Sequence, residues 1–269
     1  MRIYYINVAA HRERCDFMDG QFRALGLAAE RVDAITPAGL SAADLETSCN
    51  PRRGNWLTPM ELCCSLSHVA ALKAFLASDA PHALVLEDDA VLSTRLPRFL
   101  AHFESEPLGI DLLRLETRHE NLRLLPDDRP EIEGVRFYTL HSWASGSAGY
   151  IVSRGAAQRI AESRMTRLHA SDRFLFNTYL PLLRQLVTLQ ANPALIVQAD
   201  QLQTGNLPKL VSQLADRHTK RSAQAPYYWR RRPARIANWI RRDIIVAAQK
   251  AWHQYVRGAK KTPVPFAPD

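Results

Sequence analysis

The chain has 269 residues, of which 46% are hydrophobic, and a formal net charge of +8. This is enough apolar material for the core of one large domain, and no apolar run reaches the roughly 18 residues that a membrane-spanning helix needs. The four cysteines, Cys15, Cys49, Cys63 and Cys64, form no C-x-x-C pair. We therefore expect reduced thiols, with neither a disulfide framework nor a cysteine metal site.

The positive charge is concentrated near the C-terminus. Between Arg217 and Lys261 there are 13 lysines and arginines and one acidic residue, Asp243. The rest of the chain holds 22 basic and 26 acidic residues and is net acidic. Nucleic-acid binding by the body would require basic patches across it, so we expect no nucleic-acid partner. We divide the chain into a folded body at residues 1–215 and a basic amphipathic tail at residues 216–269.

The first part of the chain alternates strand and helix patterns. Residues 2–8 are β-branched and aromatic, residues 11–25 suit a helix that stops at Gly26, and residues 30–36 suit a second strand. Strand, helix and strand in this order begin an α/β sheet. The N-terminal apolar run is short and is followed at once by charges, unlike a signal peptide, so we expect a cytoplasmic protein.

Residues 57–78 form the clearest helix pattern in the chain. Thr58 is the predicted N-cap, Pro59 fits the first helical position, and Glu61 completes a capping box with Thr58. Five apolar residues then recur at helical spacing and should face the sheet: Leu62, Leu66, Val69, Leu72 and Leu76.

The later elements complete the α/β pattern. We expect strands at 83–92 and 111–116, a helix at 96–103, a polar loop at 117–134 and two strands around a small-residue turn at 135–153. A helix begins near residue 154, residues 171–180 have a serine or aspartate in capping position before apolar residues, and residues 185–200 close the sheet.

Three adjacent carboxylates, Glu87, Asp88 and Asp89, follow an apolar strand in the segment "ALVLEDDAVL". Ligand sites of α/β sheets gather at the carboxyl ends of strands. Two carboxylates there can hold a hard cation such as Mg²⁺ or Mn²⁺ and leave positions for a diphosphate. The alternative is an acidic turn capped by backbone N–H groups. The triplet alone does not separate these two interpretations.

Five segments in order resemble the glycosyltransferase family 25 enzymes, which include bacterial lipooligosaccharide galactosyltransferases and animal collagen galactosyltransferases. The segments are "YYINVAAHRERCDFM", "LTPMELCCSLSHVAALKAF", "ALVLEDDAVL", "SAGYIVSRGAAQRI" and "SDRFLF". The resemblance covers residues 2 to about 200. It implies a GT-A-like fold with a Rossmann-like N-terminal half, a UDP-sugar donor, and a divalent metal, Mn²⁺ or Mg²⁺. The body would then be the catalytic domain.

The resemblance also implies roles for single residues at the donor site. Asp89 would be the chief metal ligand with Asp88 assisting, and Asp88 and Glu87 would contact the donor, although Glu87 also suits a structural role. The other implied donor contacts are Asn7, Arg12, Arg14 and His68. A solvated helix start is the alternative for the two arginines, and a satisfied buried position is the alternative for His68. Glu61 is better explained by the capping box.

The resemblance implies inversion at the transferred sugar and gives Asp172 as the candidate catalytic base. An inverting transfer needs one carboxylate to take the acceptor proton. The alternative is that Asp172 caps a helix beginning near Arg173. The small residues Ser145 and Gly146 would leave room for the sugar. Cys63 departs from the family pattern, which has glycine there.

These implications favour transfer of galactose from UDP-galactose to a lipopolysaccharide or lipooligosaccharide acceptor. A glucosyltransferase of the same layout and a non-catalytic carbohydrate- or nucleic-acid-binding protein are the alternatives. The basic tail suggests an interfacial helix from near Pro233 that would hold the enzyme at an anionic membrane surface, at the inner face of the cytoplasmic membrane. Nucleic-acid binding and packing on the body are its alternatives. The apolar side of that helix would hold Ile236, Trp239, Ile240, Ile244, Ala247, Ala251 and Tyr255.

Overall fold

The computed structural model describes residues 1–50, 52, 56–105, 108–202, 244–249 and 251–269. The helices are α1 (Arg12–Leu25), α2 (Ala42–Ser48), α3 (Pro59–Leu76), α4 (Leu96–Ser105), α5 (Arg154–Ala161) and α6 (Ser171–Phe176). The strands are β1 (Arg2–Asn7), β2 (Glu30–Asp33), β3 (His82–Glu87), β4 (Ala90–Leu92), β5 (Leu112–Arg114), β6 (Glu116–Thr117), β7 (Asn121–Pro126), β8 (Arg136–Leu140), β9 (Gly149–Ser153), β10 (Thr188–Asn192), β11 (Ile196–Gln198) and β12 (Lys260–Pro263).

Nine strands form one mixed sheet in the order β12-β7-β8-β10-β5-β9-β3-β1-β2. Strand β1 lies between β2 and β3 and is parallel to both, which gives the N-terminal half its α/β character. Strand β9 runs antiparallel between β3 and β5. A small sheet of β4, β11 and β6 lies beside it. The predicted α/β class is confirmed.

The large sheet is covered on both faces. Alternate residues of β3 enter two different core clusters, because successive side chains of a strand point to opposite faces. Leu84 and Leu86 pack with residues of α1 and α4, including Phe22 and Phe99. On the other face, Ala83 and Val85 pack with residues of α3, α5 and α6: Leu72, Phe75, Ile160 and Phe174.

Helix α3 begins as the sequence predicts. The Thr58 hydroxyl accepts a hydrogen bond from the backbone N–H of Glu61 at 3.2 Å, and Glu61 Oε2 accepts one from the backbone N–H of Thr58 at 2.9 Å. The prediction of a single sheet-facing apolar stripe is too simple, because α3 also contacts α5 and α6. Ser67 and His68 are buried too, since Ser67 contacts the segment after β2 and His68 contacts β3 and β9, whereas Leu66 is only half-buried.

The end of the chain returns to the sheet. Strand β12 pairs antiparallel with β7, and Val264 beyond it is 1% exposed. The expectation that the body ends near residue 215 is therefore wrong for this last segment. Its partner β7 lies in the region that the sequence predicts as a polar loop. The strand was missed because only two of its residues, Leu122 and Leu124, are buried. Residues 203–243, which include the first half of the predicted interfacial helix, lie outside the described residues, whereas residues 244–249 are helical and Trp252–Val256 form a π-helical turn.

Candidate functional site

The acidic triplet lies where two parallel strands end. Asn7 ends β1, and Glu87 ends β3 next to it, in register with Ile6. Helix α3 covers this edge of the sheet, and a cavity of about 110 Å³ opens between them. Its polar lining includes His11, Arg14, Cys64, His68, Glu87, Asp88 and Asp89.

The carboxylate of Asp88 is held by two neighbours. The side-chain amide of Asn7 donates to Asp88 Oδ2 at 2.8 Å, and Arg14 Nη1 donates to Asp88 Oδ1 at 2.5 Å. The Asn7 and Asp88 side chains are buried, so the short ion pair with Arg14 offsets a charge that would otherwise be costly to bury. The structure thus brings together three residues that the sequence assigned to the donor site.

Asp89 is less well compensated than Asp88. It is 7% exposed, and its Oδ1 atom has no hydrogen-bond partner within the described part of the chain. The nearest cation, Arg14 Nη1, lies 3.9 Å from Oδ2. Burial, and then the negative charge of Glu87, raise the pKa of Asp89 to about 8. A divalent cation would supply both the missing partner and the missing positive charge, so these residues fit a metal.

Glu87 belongs to a chain of polar contacts at the cavity wall. His68 Nε2 lies 3.1 Å from Glu87 Oε1, and the Ser147 hydroxyl donates to the same oxygen at 2.5 Å. Burial would raise the pKa of Glu87, but the contacts with His68 and Ser147 outweigh it and lower that pKa. The other ring nitrogen of His68 lies 3.1 Å from the Tyr150 hydroxyl. His68 is thus a hydrogen-bonded buried residue that also lines the cavity.

Asp172 lies in the first turn of α6, close to this group. Helix α6 begins at Ser171 with Ala170 as its N-cap, so the alternative that Asp172 is the cap is wrong. The Ser171 hydroxyl lies 3.3 Å from Cys64 Sγ and 2.8 Å from the Ser147 hydroxyl. Burial raises the pKa of the Cys64 thiol, and the charges of Glu87, Asp172 and Asp89 raise it further. The charge of the buried Asp172 therefore acts on the same thiol as the charges of Glu87 and Asp89.

The sequence of residues 1–175 matches the family model described as glycosyltransferase family 25, lipopolysaccharide biosynthesis protein. The chain belongs to glycosyltransferase family 25. The resemblance noted in the sequence is thereby confirmed, and the protein is a glycosyltransferase.

Two bacterial relatives agree with this assignment. The family 25 chain is 29% identical to the lacto-N-neotetraose biosynthesis glycosyltransferase LgtB of Neisseria gonorrhoeae over 209 residues, 74% of each chain. It is 26% identical to the lipooligosaccharide biosynthesis protein lic2B of Haemophilus influenzae over 226 residues, 81% of this chain and 83% of the relative. A solved structure of the galactosyltransferase LgtC with donor and acceptor sugar analogs aligns with 84% of this chain and 95% of that chain, at 11% identity and a TM-score of 0.37.

Of two further residues in the segments that resemble family 25, Ser67 lines the cavity and Arg12 does not. Arg12 is exposed in the first turn of α1 and does not line the cavity, which agrees with the alternative of a solvated helix start. Ser67 accepts a hydrogen bond from the backbone N–H of Ile35 at 2.8 Å and so ties α3 to the segment after β2.

Within the described residues, no helix is both long enough and apolar enough to cross a bilayer.

A buried polar network beneath the loop before β9 was not predicted from the sequence. Glu116 is fully buried, and its Oε2 accepts a hydrogen bond from the Ala148 N–H at 2.8 Å. The fully buried Arg114 donates to the Glu116 carbonyl at 2.8 Å and to Gln190 Oε1 at 2.9 Å. Gly146 lies directly against the Glu116 carboxyl group. Its small size is therefore required by Glu116, and the structure gives this reason in place of room for a sugar.

Changing Glu116 to glutamine should alter how stability depends on pH. Burial, and then the charge of Glu87, raise the pKa of Glu116 from 4.5 to about 8, although Arg114 opposes this. Between these values the folded protein holds a proton that the unfolded chain has lost. The wild-type free energy of unfolding therefore falls as pH rises, by up to about 1.4 kcal/mol per pH unit from this group.

Glu116→Gln lacks that proton exchange, so it should gain stability relative to wild type between about pH 5 and about pH 8. Urea unfolding at several pH values measures the difference, and the contribution of Asp89 cancels because both proteins contain it. The exposed glutamate Glu13 supplies the control, since Glu13→Gln should follow the wild-type curve. A constant difference between Glu116→Gln and wild type at all pH values would contradict the prediction.

Changing Gly146 to alanine should destabilise the protein by about 1–3 kcal/mol. Gly146 has φ +88°, and an added Cβ would overlap the carboxyl group of Glu116. The strain falls next to Ser147, which donates to Glu87. Gly155→Ala is the matched control, because nothing lies near its Cβ position and it belongs to α5. Urea unfolding should show a loss only for the first variant, and equal midpoints would contradict the prediction.

Proposed function

We propose that this family 25 enzyme transfers a hexose, galactose from UDP-galactose, to a lipopolysaccharide or lipooligosaccharide acceptor, with inversion and with a divalent metal. The observation that carries the proposal is the buried Asp89 carboxyl group, whose Oδ1 has no hydrogen-bond partner among the described residues and which lines the cavity at the end of β3. A buried unpaired carboxyl is unfavourable unless a bound cation compensates it.

Asp89 and Asp88 would hold Mn²⁺ or Mg²⁺ through carboxylate oxygens, which are the ligands these ions prefer. The bound ion would stabilise the negative charge that develops on the leaving diphosphate. Arg14 contacts both carboxylates and fixes Asp88 for this role. The position of the site at the carboxyl ends of β1 and β3 supports a nucleotide-binding, GT-A-like arrangement.

The donor would contact Asn7, Arg14, His68 and Glu87. Glu87 and His68 line the cavity, whereas the buried Asn7, at the end of the adjacent strand, adjoins it through its hydrogen bond to Asp88. An arginine can pair with the diphosphate, and an amide can bind the ribose or the base. Arg12, which is exposed and outside the cavity lining, stays a donor contact that the family resemblance alone implies.

Asp172 is the proposed base that takes the proton from the acceptor hydroxyl. It is 7% exposed and lies near Cys64, as the acidic triplet does, so it can face a substrate bound in the same region. The names of LgtB and lic2B, which refer to lacto-N-neotetraose and lipooligosaccharide biosynthesis, support an oligosaccharide acceptor.

A donor panel tests the proposal. UDP-galactose, UDP-glucose and UDP-N-acetylglucosamine are compared with and without Mn²⁺, and UDP release is measured with a lipooligosaccharide acceptor. We expect metal-dependent release with UDP-galactose. Preference for UDP-glucose would favour the alternative of a glucosyltransferase. UDP release that does not depend on Mn²⁺ would overturn the proposed role of the metal. Absence of release with every donor would favour a non-catalytic binding protein.

We further propose that residues 216–258 associate with an anionic membrane surface. Trp252, Tyr255 and Val256 are 58%, 80% and 60% exposed, and Lys260 and Lys261 beside them are exposed as well. Aromatic and basic residues together suit anionic headgroups. Sedimentation with anionic liposomes should show binding that weakens with salt, and lack of binding at low salt would remove the idea. This would place the enzyme peripherally at the inner face of the cytoplasmic membrane.

A further inference from the structure

Helix α3 directs two potential metal ligands toward the end of β3. Cys64 and His68 are four residues apart and therefore lie on the same side of the helix. The Cys64 sulfur, a His68 ring nitrogen and a Glu87 carboxylate oxygen all lie within 4.8 Å of one another. The three residues line the same cavity, so a small ion can reach them.

The ligand types suit a different ion from the one proposed at Asp88 and Asp89. Thiolate sulfur and imidazole nitrogen favour Zn²⁺ and similar thiophilic ions, whereas carboxylates alone favour Mg²⁺ or Mn²⁺. Zinc lies about 2.3 Å from sulfur and about 2.0 Å from nitrogen, so tetrahedral ligands are about 3.6 Å apart. His68 Nε2 and Glu87 Oε1, 3.1 Å apart, are already at about the ligand spacing, and Cys64 Sγ would need to approach them by at most about 1 Å.

Hydrogen bonds around the three ligands already orient them. The second ring nitrogen of His68 lies 3.1 Å from the Tyr150 hydroxyl, which fixes the ring and leaves Nε2 directed at Glu87. The Ser171 hydroxyl lies 3.3 Å from Cys64 Sγ and can donate to a thiolate. Such outer contacts are typical of metal ligands. The sequence predicts no cysteine metal site. The packing of α3 nevertheless places Cys64 beside two other potential ligands, His68 and Glu87.

We infer that Cys64, His68 and Glu87 bind one thiophilic divalent cation of the Zn²⁺ class, at a site chemically separate from the carboxylate pair Asp88 and Asp89. An open fourth position would face the cavity, because three protein ligands leave one tetrahedral position for water. If the donor binds as proposed above, on which this consequence rests, zinc occupies the donor's cavity and holds two of the proposed donor contacts, His68 and Glu87. It therefore inhibits transfer by excluding the donor.

Cobalt binding to the full-length protein tests the site without any activity assay. Co²⁺ is added alone, and the thiolate-to-cobalt charge-transfer band is followed in the near ultraviolet. We expect a band that saturates at one ion per chain in wild type and is lost in Cys64→Ser. Cys63→Ser is the matched control and should keep the band, because Cys63 is adjacent and buried but lies outside the cluster. Excess Zn²⁺ should bleach the band.

Further measurements separate this site from the proposed donor metal and from a folding defect. Asp89→Asn should keep the cobalt band while losing Mn²⁺ binding. Alkylation of Cys64 in the Cys63→Ser protein, followed by mass spectrometry, should be blocked by Zn²⁺, and it needs no change at Cys64. A wild-type protein with no charge-transfer band would overturn the inference, as would a band lost equally in both serine variants or alkylation that Zn²⁺ leaves unchanged.

Discussion

Asp89→Ala should reduce metal-dependent sugar transfer by on the order of 10³-fold, because a metal that stabilises a leaving group contributes several kcal/mol to the transition state. The variant should fold normally. Removing a buried carboxyl group whose Oδ1 has no hydrogen-bond partner among the described residues relieves an unfavourable burial, so the free energy of unfolding should stay the same or rise. UDP release and Mn²⁺ binding by calorimetry are the measurements.

The control for Asp89→Ala is Asp128→Ala. Asp128 is an exposed carboxylate in the connection from β7 to β8, at the other side of the nine-stranded sheet. This variant should keep wild-type turnover and wild-type Mn²⁺ affinity. Full activity in Asp89→Ala would remove the site assignment. Lost activity with unchanged Mn²⁺ affinity would show that Asp89 is not a ligand of the metal.

Asp172→Asn should lower kcat by roughly 10²–10⁴-fold, the usual contribution of a general base. Asparagine keeps the size and polarity of the side chain at this buried position but cannot accept the acceptor proton. Donor and Mn²⁺ binding should remain, because Asp172 belongs to α6 whereas the carboxylate pair follows β3. Single-turnover transfer and calorimetric titration with UDP and Mn²⁺ separate the two effects.

The outcome for Asp172→Asn distinguishes chemistry from structure. A variant that binds UDP and Mn²⁺ like wild type but turns over slowly supports the base. A variant that loses binding and turnover together would make Asp172 a structural residue of α6. Thermal unfolding of both proteins shows whether the helix is still packed, since Phe174 and Phe176 of α6 are fully buried.

The parts of the fold that the sequence predicts are those with strong local patterns. Helix α3 has its cap, its proline and its glutamate within four residues, and all three act as expected. The middle of strand β3, residues 83–86, is apolar because both of its faces are covered. Strands β7 and β12 have weaker patterns and owe their conformation to each other, across more than 130 residues of chain. Local propensity cannot predict such a pairing.

The candidate site likewise contains residues that the sequence predicts and residues that only the folded structure reveals. The acidic triplet is visible in the sequence because three carboxylates end an apolar strand. Ser147 and Ser171 were missed, since a serine in a polar stretch has no distinctive pattern until folding places it beside Glu87 or Cys64. Glu116 did carry a usable pattern, because it is a carboxylate at the end of the strand predicted at 111–116. The start of α6 at Ser171, rather than near Arg173, changes Asp172 from a candidate cap to a first-turn residue.

The return of the chain end to β7 limits where the protein can be shortened. A chain cut at residue 215 would lose β12 and leave β7 at the margin of the large sheet, with its outward N–H and C=O groups unpaired. Unpaired strand margins recruit other chains, so such a shortened protein should self-associate. The same cut would uncover Thr117, whose hydroxyl donates to the Val264 carbonyl at 2.5 Å. The residues that follow the basic segment are thus part of what covers the edge of β7.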